Sequence, residues 1–506
     1  MIQALANGGD RRIALEEDPE FWGLLEQMHD TILADREDYN KLHDYREGKH
    51  VMPHAPRIQR AEISQLSRRA TTNLIDLAVN IPAQLSFVDG YRRDEEMFPP
   101  EWDVWVRSRM AQKQTTSFVS ALTYGNAYIA LENLGTEDRT LKLLPTRDTV
   151  AFYYDPVNDR YPSYVLTIRS RPRSERVPGV AVYYDAEQIV ELNFDHEGKF
   201  SVKEIYPHNL GDTPVGRLTC FLDDEGNSTG IVDHLIAPQD RVNQTAFDLL
   251  STQTFSAFKL RTASGVEGEQ IYNADGEPMY NEDGTPQMRS IPVDPSTWVQ
   301  TDNPDARFGT LDETPLDGFL EALRLSVQHF AVQGQLPPHA LLGNLSNLSA
   351  ETLVAAMSQT QRLAHVLKTS WGQTIVDLME LIARDMDTED HVDPETGLYK
   401  GEVRWRDMSD HTLAAQVDAL GKGAQMLEIP TRALWPKFPG VSTGEIEEWE
   451  RLREEERMDQ FDDPRGEDAS VQRESVTQPR QPPAQNDGIV PLGGGDAEPV
   501  GAPGGL

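Results

Sequence analysis

The 506 residues are enough for two to four domains, and a composition 38% hydrophobic and 26% charged is that of an ordinary soluble protein. Asp and Glu number 83 against 47 Lys and Arg, a formal net charge of −36, and no run of five basic residues occurs. This excludes the basic stripes with which proteins grip phosphates tightly, but not a surface past which DNA slides without sticking.

No apolar run approaches the roughly 18 residues a membrane span requires. The N-terminus lacks the charged start and apolar core of a signal peptide. The one cysteine, Cys220, excludes a disulfide framework, fits a reducing cytosol and reads as a small buried hydrophobe.

Residues 20–85 read as helical. Leu24, Leu25, Met28 and Ile32 make one face; Ile63, Leu66, Ala70, Leu74, Leu77 and Ile81 make another before Pro82. Gly48 and Pro53 break the chain between them. A single helix is expected over residues 102–124, closed by Gly125 as a C-cap. The pattern then turns to period two, predicting strands at residues 126–132, 141–144, 149–154, 164–169, 180–184, 188–193 and 200–206, separated by Asp- and Gly-containing turns. Helix followed by antiparallel sheet makes the first half α+β.

From Pro238 a helix is expected with a thin apolar face, a pattern suited to contact with a neighbouring subunit. An internal repeat follows, YNADGEP at Tyr272–Pro278 and YNEDGTP at Tyr280–Pro286. It lacks the spacing and closing Glu of a calcium-binding EF-hand loop and reads as two Asp-Gly turns in an exposed β-excursion. Trp298 and Val299 suggest a strand. Residues 317–332 predict a helix with Leu316, Leu320, Leu323, Val327 and Phe330 on one side.

After Pro337 and Pro338 comes a small-residue loop, then one long helix. Its stripe runs through Met357, Thr360, Ala364, Leu367, Trp371, Thr374, Leu378 and Ile382, with Ser349 as N-cap and Glu351 in the first turn. GEVRWRD reads as a strand. Two further helices are expected at residues 409–427, with Leu413, Val417, Leu420 and Leu427 on one face, and at 442–458, laced with Glu–Arg pairs. Beyond Phe461 the aromatic-free, Pro- and Gly-rich tail has the composition of disorder.

No phosphate-binding glycine loop, HExxH, GxSxG or CxxC motif is present. His50 and His54 are at helical spacing but are interrupted by Pro53. Among 83 carboxylates some pair would always suit acid/base chemistry, so no pair is singled out; no enzyme activity, cofactor or metal is expected. Asn344 and Asn347 sit in N-glycosylation sequons, but nothing directs secretion.

Five segments in order resemble the portal proteins of tailed bacteriophages, particularly those common in siphophages. They are YNKLHDYREGKH and the following helix through Asn73 to IPAQLSF; ALTYGNAYIALE around Gly125; DHLIAPQDRVNQTAFDLL; FGTLDETPLDGFLEALRLSVQHFAVQGQLPPHALLGNLSNLSAETL; and VRWRDMSDHTLAAQVDALGKG. Together they cover most of residues 39–456. The repeat and the tail have no counterpart in the family's pattern.

The resemblance implies a ring, usually of twelve copies, around a channel at one capsid vertex. Double-stranded DNA would be packaged and ejected through it without sequence preference. The terminase large subunit, head-completion or adaptor proteins, and capsid and scaffold proteins would be its partners. Mapped here, residues 1–19 would be an N-terminal arm, 20–237 the wing, and 238–260 and 317–333 the stem helices flanking a clip at 261–316. Residues 334–350 would be the channel loop, 351–403 the long wing helix and following strand, 404–460 the crown, and 461–506 the tail.

In such a ring the thin-faced helices bury their stripes against the next subunit. Arg241, Arg324 and Arg362 are candidates for ion pairs between subunits. Gly343, Asn344, Leu345, Ser346, Asn347, Leu348 and Ser349 offer backbone freedom, neutral hydrogen-bonding groups and apolar contact without fixed charge, which suits a collar touching moving DNA. A helix-capping loop without DNA contact is equally consistent with those residues. A minor capsid or adaptor protein, or an acidic hydrolase, are the other function classes.

Overall fold

The computed structural model describes residues 8–54, 61–94, 96–174, 176–256, 261–264, 270–288, 307–310, 315–337, 341, 350–386, 392, 399–406, 408, 413–435, 438, 441 and 443–462. Two units result, Met1–Ser409 and Asp410–Leu506. Both the Trp298–Val299 strand and the tail from residue 463 lie outside the described residues.

In the first unit, α1 (Gly8–Glu16) precedes α2 (Pro19–Arg46). Asp18 caps α2: its carboxylate accepts from the backbone N–H of Glu20 at 2.9 Å, with Pro19 in the first turn. This 28-residue helix belongs to two cores. Phe21, Leu25, Met28 and Ile32 pack on a sheet, whereas Leu42 and Tyr45 enter the main core. The proposed arm therefore contains a helix, and Arg12 of α1 donates to the Val202 carbonyl at 3.0 Å.

Next come α3 (Ala61–Ala70) and α4 (Ile75–Gln84), which carries Pro82 inside it. Leu77, expected on a buried face, is 40% exposed, because α4 buries Ile75, Ala78, Val79 and Ala83 instead. Strands β1 (Val88–Arg93) and β2 (Glu96–Met97) follow. The single helix expected over residues 102–124 is two, α5 (Pro100–Arg107) and α6 (Met110–Tyr124). They break at Arg109, which takes a left-handed φ of 54°. Gly125 (φ +87°) ends α6 as expected; a Cβ there would lie 2.5 Å from the Ser228 carbonyl oxygen.

The period-two region gives β3 (Asn126–Glu132), β4 (Thr140–Leu144), β5 (Thr149–Phe152), β6 (Tyr164–Ser170), β7 (Gly179–Tyr184), β8 (Gln188–Phe194) and β9 (Phe200–Pro207). They form two sheets rather than one. Strands β5 to β9 make an antiparallel meander in chain order, while β3 pairs with β4 and with β10 (Val215–Thr219), a strand the sequence reading missed. One face of the meander packs Leu166, Ala181, Tyr183 and Leu192 beside the start of α2. The other packs Val165, Val182 and Tyr184 beside Tyr128, Ala130 and Val215 of the smaller sheet. All seven residues of β3 are buried.

Beyond β11 (Phe221–Leu222) and β12 (Ser228–Thr229), α7 (Ile231–Ser256) begins seven residues before the expected start, with Pro238 inside it. The paired strands β13 (Arg261–Ser264) and β14 (Arg307–Thr310) lie between α7 and α8 (Asp317–Gln333). Within this excursion the repeats fold alike. Tyr272 bridges Pro278 and Tyr280 bridges Pro286, and the turns pass through Gly276 and Gly284 at φ +82° and +79°. A closed triangle of backbone bonds, each 2.8 Å, ties them: Ile271 N to Gln287 O, Gln287 N to Met279 O, and Met279 N to Ile271 O.

The long helix is α9 (Ala350–Asp385), 36 residues and about 54 Å. Its expected stripe faces the core: Thr360, Ala364, Leu367, Trp371, Leu378 and Ile382 are buried. Trp371 stacks on Phe118 at 4.5 Å and donates to the Thr219 carbonyl at 2.8 Å. From Ile375 to Ala383 every residue is buried, so this end is a central core element. Strand β15 (Gly401–Trp405) pairs with β1, far away in sequence.

The second unit holds α10 (Leu413–Met426), α11 (Thr431–Leu434) and α12 (Thr443–Asp462). Trp435 meets Trp449 edge-to-face at 5.9 Å, with Arg453 over the Trp435 ring and Arg432 paired to Glu450 at 2.7 Å. Val417 and Leu427, expected on an apolar face, are 44% and 72% exposed.

Candidate functional site

The thin apolar face of α7 has a local explanation that the sequence reading did not supply. Between Leu235 and Val242 the buried positions belong to Pro238 and Gln239, and Asn243 lies one turn beyond Gln239. Leu74 N donates to Gln239 Oε1 at 3.0 Å, and Gln239 Nε2 donates to the Thr72 carbonyl at 2.6 Å. Thr72 N donates to Asn243 Oδ1 at 3.1 Å. Asn243 Nδ2 donates to His50 Nδ1 at 3.0 Å, and His50 Nε2 to the Tyr45 carbonyl at 2.8 Å.

Two amides thus bond the backbone of the break between α3 and α4, where no helix does so. Burial holds the His50 ring below its ordinary pKa, although the Tyr45 carbonyl and Asp240 pull upward. Burial and the bond to Asp240 push the Tyr45 phenol up to about 12. The expectation that a neighbouring subunit completes the α7 seam is therefore corrected: Val232, Leu235, Gln239, Val242 and Asn243 are covered by their own chain.

Helix α8 differs. Phe330 and Ala331 are buried and Leu323 and Val327 pack on the core, yet Leu320, Leu325 and Val332 are 52%, 48% and 58% exposed. An open groove of about 600 Å³ runs along it, lined by Leu320, Leu323, Val327 and Leu341 with Asp317, Glu321 and Arg324 at its rim.

Arg241, Arg324 and Arg362 fall on α7, α8 and α9, and all three are exposed. None makes an ion pair with a described residue; Arg362 donates to Ser358 Oγ at 3.3 Å. The candidate loop, Gly343 to Ser349, lies outside the described residues, and so does the expected N-cap. Its flanks are described. Leu336 is buried with its N–H bonded to the Ala331 carbonyl at 2.8 Å, and Thr360 Oγ1 of α9 donates to the Gln335 carbonyl at 2.6 Å.

Two ionic clusters were not found from sequence. On α9, Asp377 and Glu380 are 6% and 5% exposed. Arg160 Nη2 donates to both, at 2.6 Å each; Arg384 pairs with Glu380 and with Asp212 at 2.7 Å. Tyr161 donates to the Asp377 carbonyl at 3.0 Å, and both guanidiniums lie over its ring. Burial raises the Asp377 carboxyl more than Arg160 lowers it; for Glu380 burial also acts upward, but two arginines outweigh it. The only advance signal was two acids three residues apart followed by an arginine, which many solvated helices share.

The second cluster borders a cavity of about 480 Å³ between the sheets, where buried Glu132 meets Lys142, Arg169 and, at 2.8 Å, the Tyr184 hydroxyl. Burial pushes Glu132 up, but Lys142 and Arg169 more than offset it, so the group stays ionised at neutral pH and has no proton to donate. Both clusters cross-link elements rather than assemble a nucleophile and base. Cys220 is 7% exposed, and burial pushes its thiol up to about 12, which makes it a poor nucleophile. Among the described residues no group of three or more His, Cys, Asp or Glu side chains is placed to hold a metal ion, and no helix is long and apolar enough to cross a membrane.

A family profile described as phage portal protein, SPP1 Gp6-like, matches residues 26–461. No curated protein matches the chain. Solved structures with a similar chain include the neck of an empty gene transfer agent particle computed with C6 symmetry, at 14% identity and TM-score 0.41, over 75% of this chain and 96% of that one. The virion of a native gene transfer agent particle gives 13% and 0.39 over 75% and 96%. The neck of the native particle computed with C12 symmetry gives 14% and 0.39 over 75% and 90%.

Proposed function

The chain belongs to the SPP1 Gp6-like phage portal protein family, and from that membership we propose how its parts serve the capsid vertex. Its function is that of a portal protein, a structural component of the virion in the head-to-tail connection. Copies close into a ring, twelve in the family's usual arrangement, and double-stranded DNA passes through the central channel during packaging and ejection. The ring also docks the terminase large subunit, then head-completion or adaptor proteins, and seats among capsid and scaffold proteins. It catalyses nothing itself.

Within the ring, residues 20–237 with α9 act as wing, α7 and α8 as stem, the strand-paired excursion between them as clip, and residues 404–460 as crown. The Gly343–Ser349 loop forms the constriction, where neutral hydrogen-bonding groups touch the duplex without holding it.

The observation that supports assembly most directly is α8, a 17-residue helix that buries only Ser326, Phe330 and Ala331 in its own chain. Leu320, Leu323 and Val327 line a groove on α8 that the described residues of its own chain leave open, and a heterologous contact between identical copies supplies a partner that closes on itself. Negative-stain images and native mass of the purified full chain test the reading. A closed ring of about a dozen copies with an axial hole is expected; a monomer at assembly concentrations, or an oligomer without a hole, refutes it.

A further inference from the structure

The two exposed helical faces of the first unit are complementary. Residues 352–376 contain no Asp or Glu, in a chain of net charge −36, yet include Arg362, His365 and Lys368. In the outward part of this run Arg362 is exposed and Val366 is 60% exposed, one turn apart. The α8 groove has the opposite character. Asp317 and Glu321, also one turn apart, border apolar Leu320 and Leu323, and neither acid makes an ion pair with a described residue. Arg324 shares that rim without an acidic partner among the described residues.

Resting on the ring reading above, we propose that the Arg362–Val366 face of α9 seats in the α8 groove of a second copy, with Arg362 between Asp317 and Glu321 and Val366 against Leu320. Two copies that each carry −36 approach only where the local charges oppose. Screening over about 8 Å at physiological salt leaves such local pairs to decide the register. The acid-free, Arg362-bearing face of α9 meeting the acidic, apolar-lined groove meets that need. Each face is different, so the contact is head-to-tail, the kind that propagates around an axis. DNA is the less suitable occupant of the α8 groove. Phosphates gain nothing from Leu320 and are repelled by Asp317 and Glu321.

The test uses the full chain and its own assembly. Arg362→Glu and Glu321→Arg, both at exposed positions, should each lower the assembled fraction at least tenfold in native mass and sedimentation at low salt, with unchanged circular dichroism. The combined variant should recover most of it. In a second measurement, Leu320→Cys with Val366→Cys under mild oxidation should give a ladder of covalently linked copies, since Cys220 is buried.

If the parent chain forms rings but both single variants assemble equally well, or the ladder is absent, this contact is wrong and the ring stands. Variants that assemble normally but lose DNA retention in particles would assign the face to DNA and also overturn it. A parent chain that forms no ring overturns both readings.

Discussion

Replacing Arg160 with Met isolates the electrostatics at the anchored end of α9. Methionine keeps an unbranched apolar stem but removes the cation that bonds Asp377 and Glu380 and lies over the Tyr161 ring. Breaking a buried pair from one side costs about 3–5 kcal/mol. The Arg160 side chain is 48% exposed and Arg384 still holds Glu380, so solvent screening reduces the expected loss to roughly 2 kcal/mol at neutral pH.

The pH dependence follows from the two carboxyls. Asp377 has a folded pKa above its unfolded value, so its contribution is present below about pH 3.9 and is lost as pH rises through the folded value; without Arg160 that loss deepens. Glu380 has a depressed folded pKa, so its contribution is present above about pH 4.3 and is lost as pH falls through the folded value; without Arg160 it shrinks. Both changes act at neutral pH and fade in acid. Urea midpoints followed by tryptophan fluorescence should therefore differ strongly between parent and variant near about pH 7.5 and little near about pH 3.5. An equal loss at both would mean that Arg160 acts by packing, and the charge argument would be wrong.

Gly216→Val should destabilise the fold by about 3 kcal/mol and lower the melting temperature by roughly three degrees, because even a Cβ there would lie 2.9 Å from Leu378 and Thr374 of α9; calorimetry checks this. Gln239→Leu leaves the Leu74 N–H and the Thr72 carbonyl without their buried partner and should cost about 1–3 kcal/mol in urea titration. In the parent, buried neutral His50 makes stability fall as pH drops below its unfolded value of about 6.5, and His50→Gln should flatten that slope in melts taken across the range. Replacing Asn344–Leu348 by Gly and Ser should leave assembly intact but lower the DNA content of particles, measured by nuclease-protected DNA; unchanged packaging removes the role proposed for that loop.

Local patterns carried far in this chain, and non-local ones did not. The strand runs from Asn126 to Tyr206 were legible because their faces alternate and their turns carry Asp and Gly. Their division into two sheets was not, since it depends on β10 completing the smaller sheet from a distance. Likewise the stripe from Thr360 to Ile382 announced a long buried helix, whereas the pairing of β15 with β1 left no mark at either end. Pro238 misled the reading of α7 because proline usually opens or breaks a helix. Here the ring sits within a helix already begun at Ile231 and is itself buried. The thin face of α7 misled for a different reason. Apolar counting takes Gln239 and Asn243 as solvent-facing, and only the α3–α4 break shows that their amides replace missing backbone partners. Of the proposed contact, Arg362 and Arg324 had been singled out from sequence as candidates for pairing between subunits and lie exposed on α9 and α8, while Asp317 and Glu321 were overlooked among many acids.

The two halves of α9 have opposite chemistries, and that contrast limits where movement is possible. Its C-terminal half is buried on every side from Ile375 to Ala383, stacked at Trp371 and clamped through Asp377, Glu380 and Arg384, so shifting it would expose apolar surface and separate buried charges together. Among the described residues, the N-terminal half has a narrow buried stripe through Thr360, Leu363 and Leu367, and Thr360 donates to the Gln335 carbonyl. Among the described residues, α9 is therefore least anchored up to about Leu367 and fixed from Trp371 onward. This gradient places the inferred subunit contact, Arg362 with Val366, on the less anchored half of the helix.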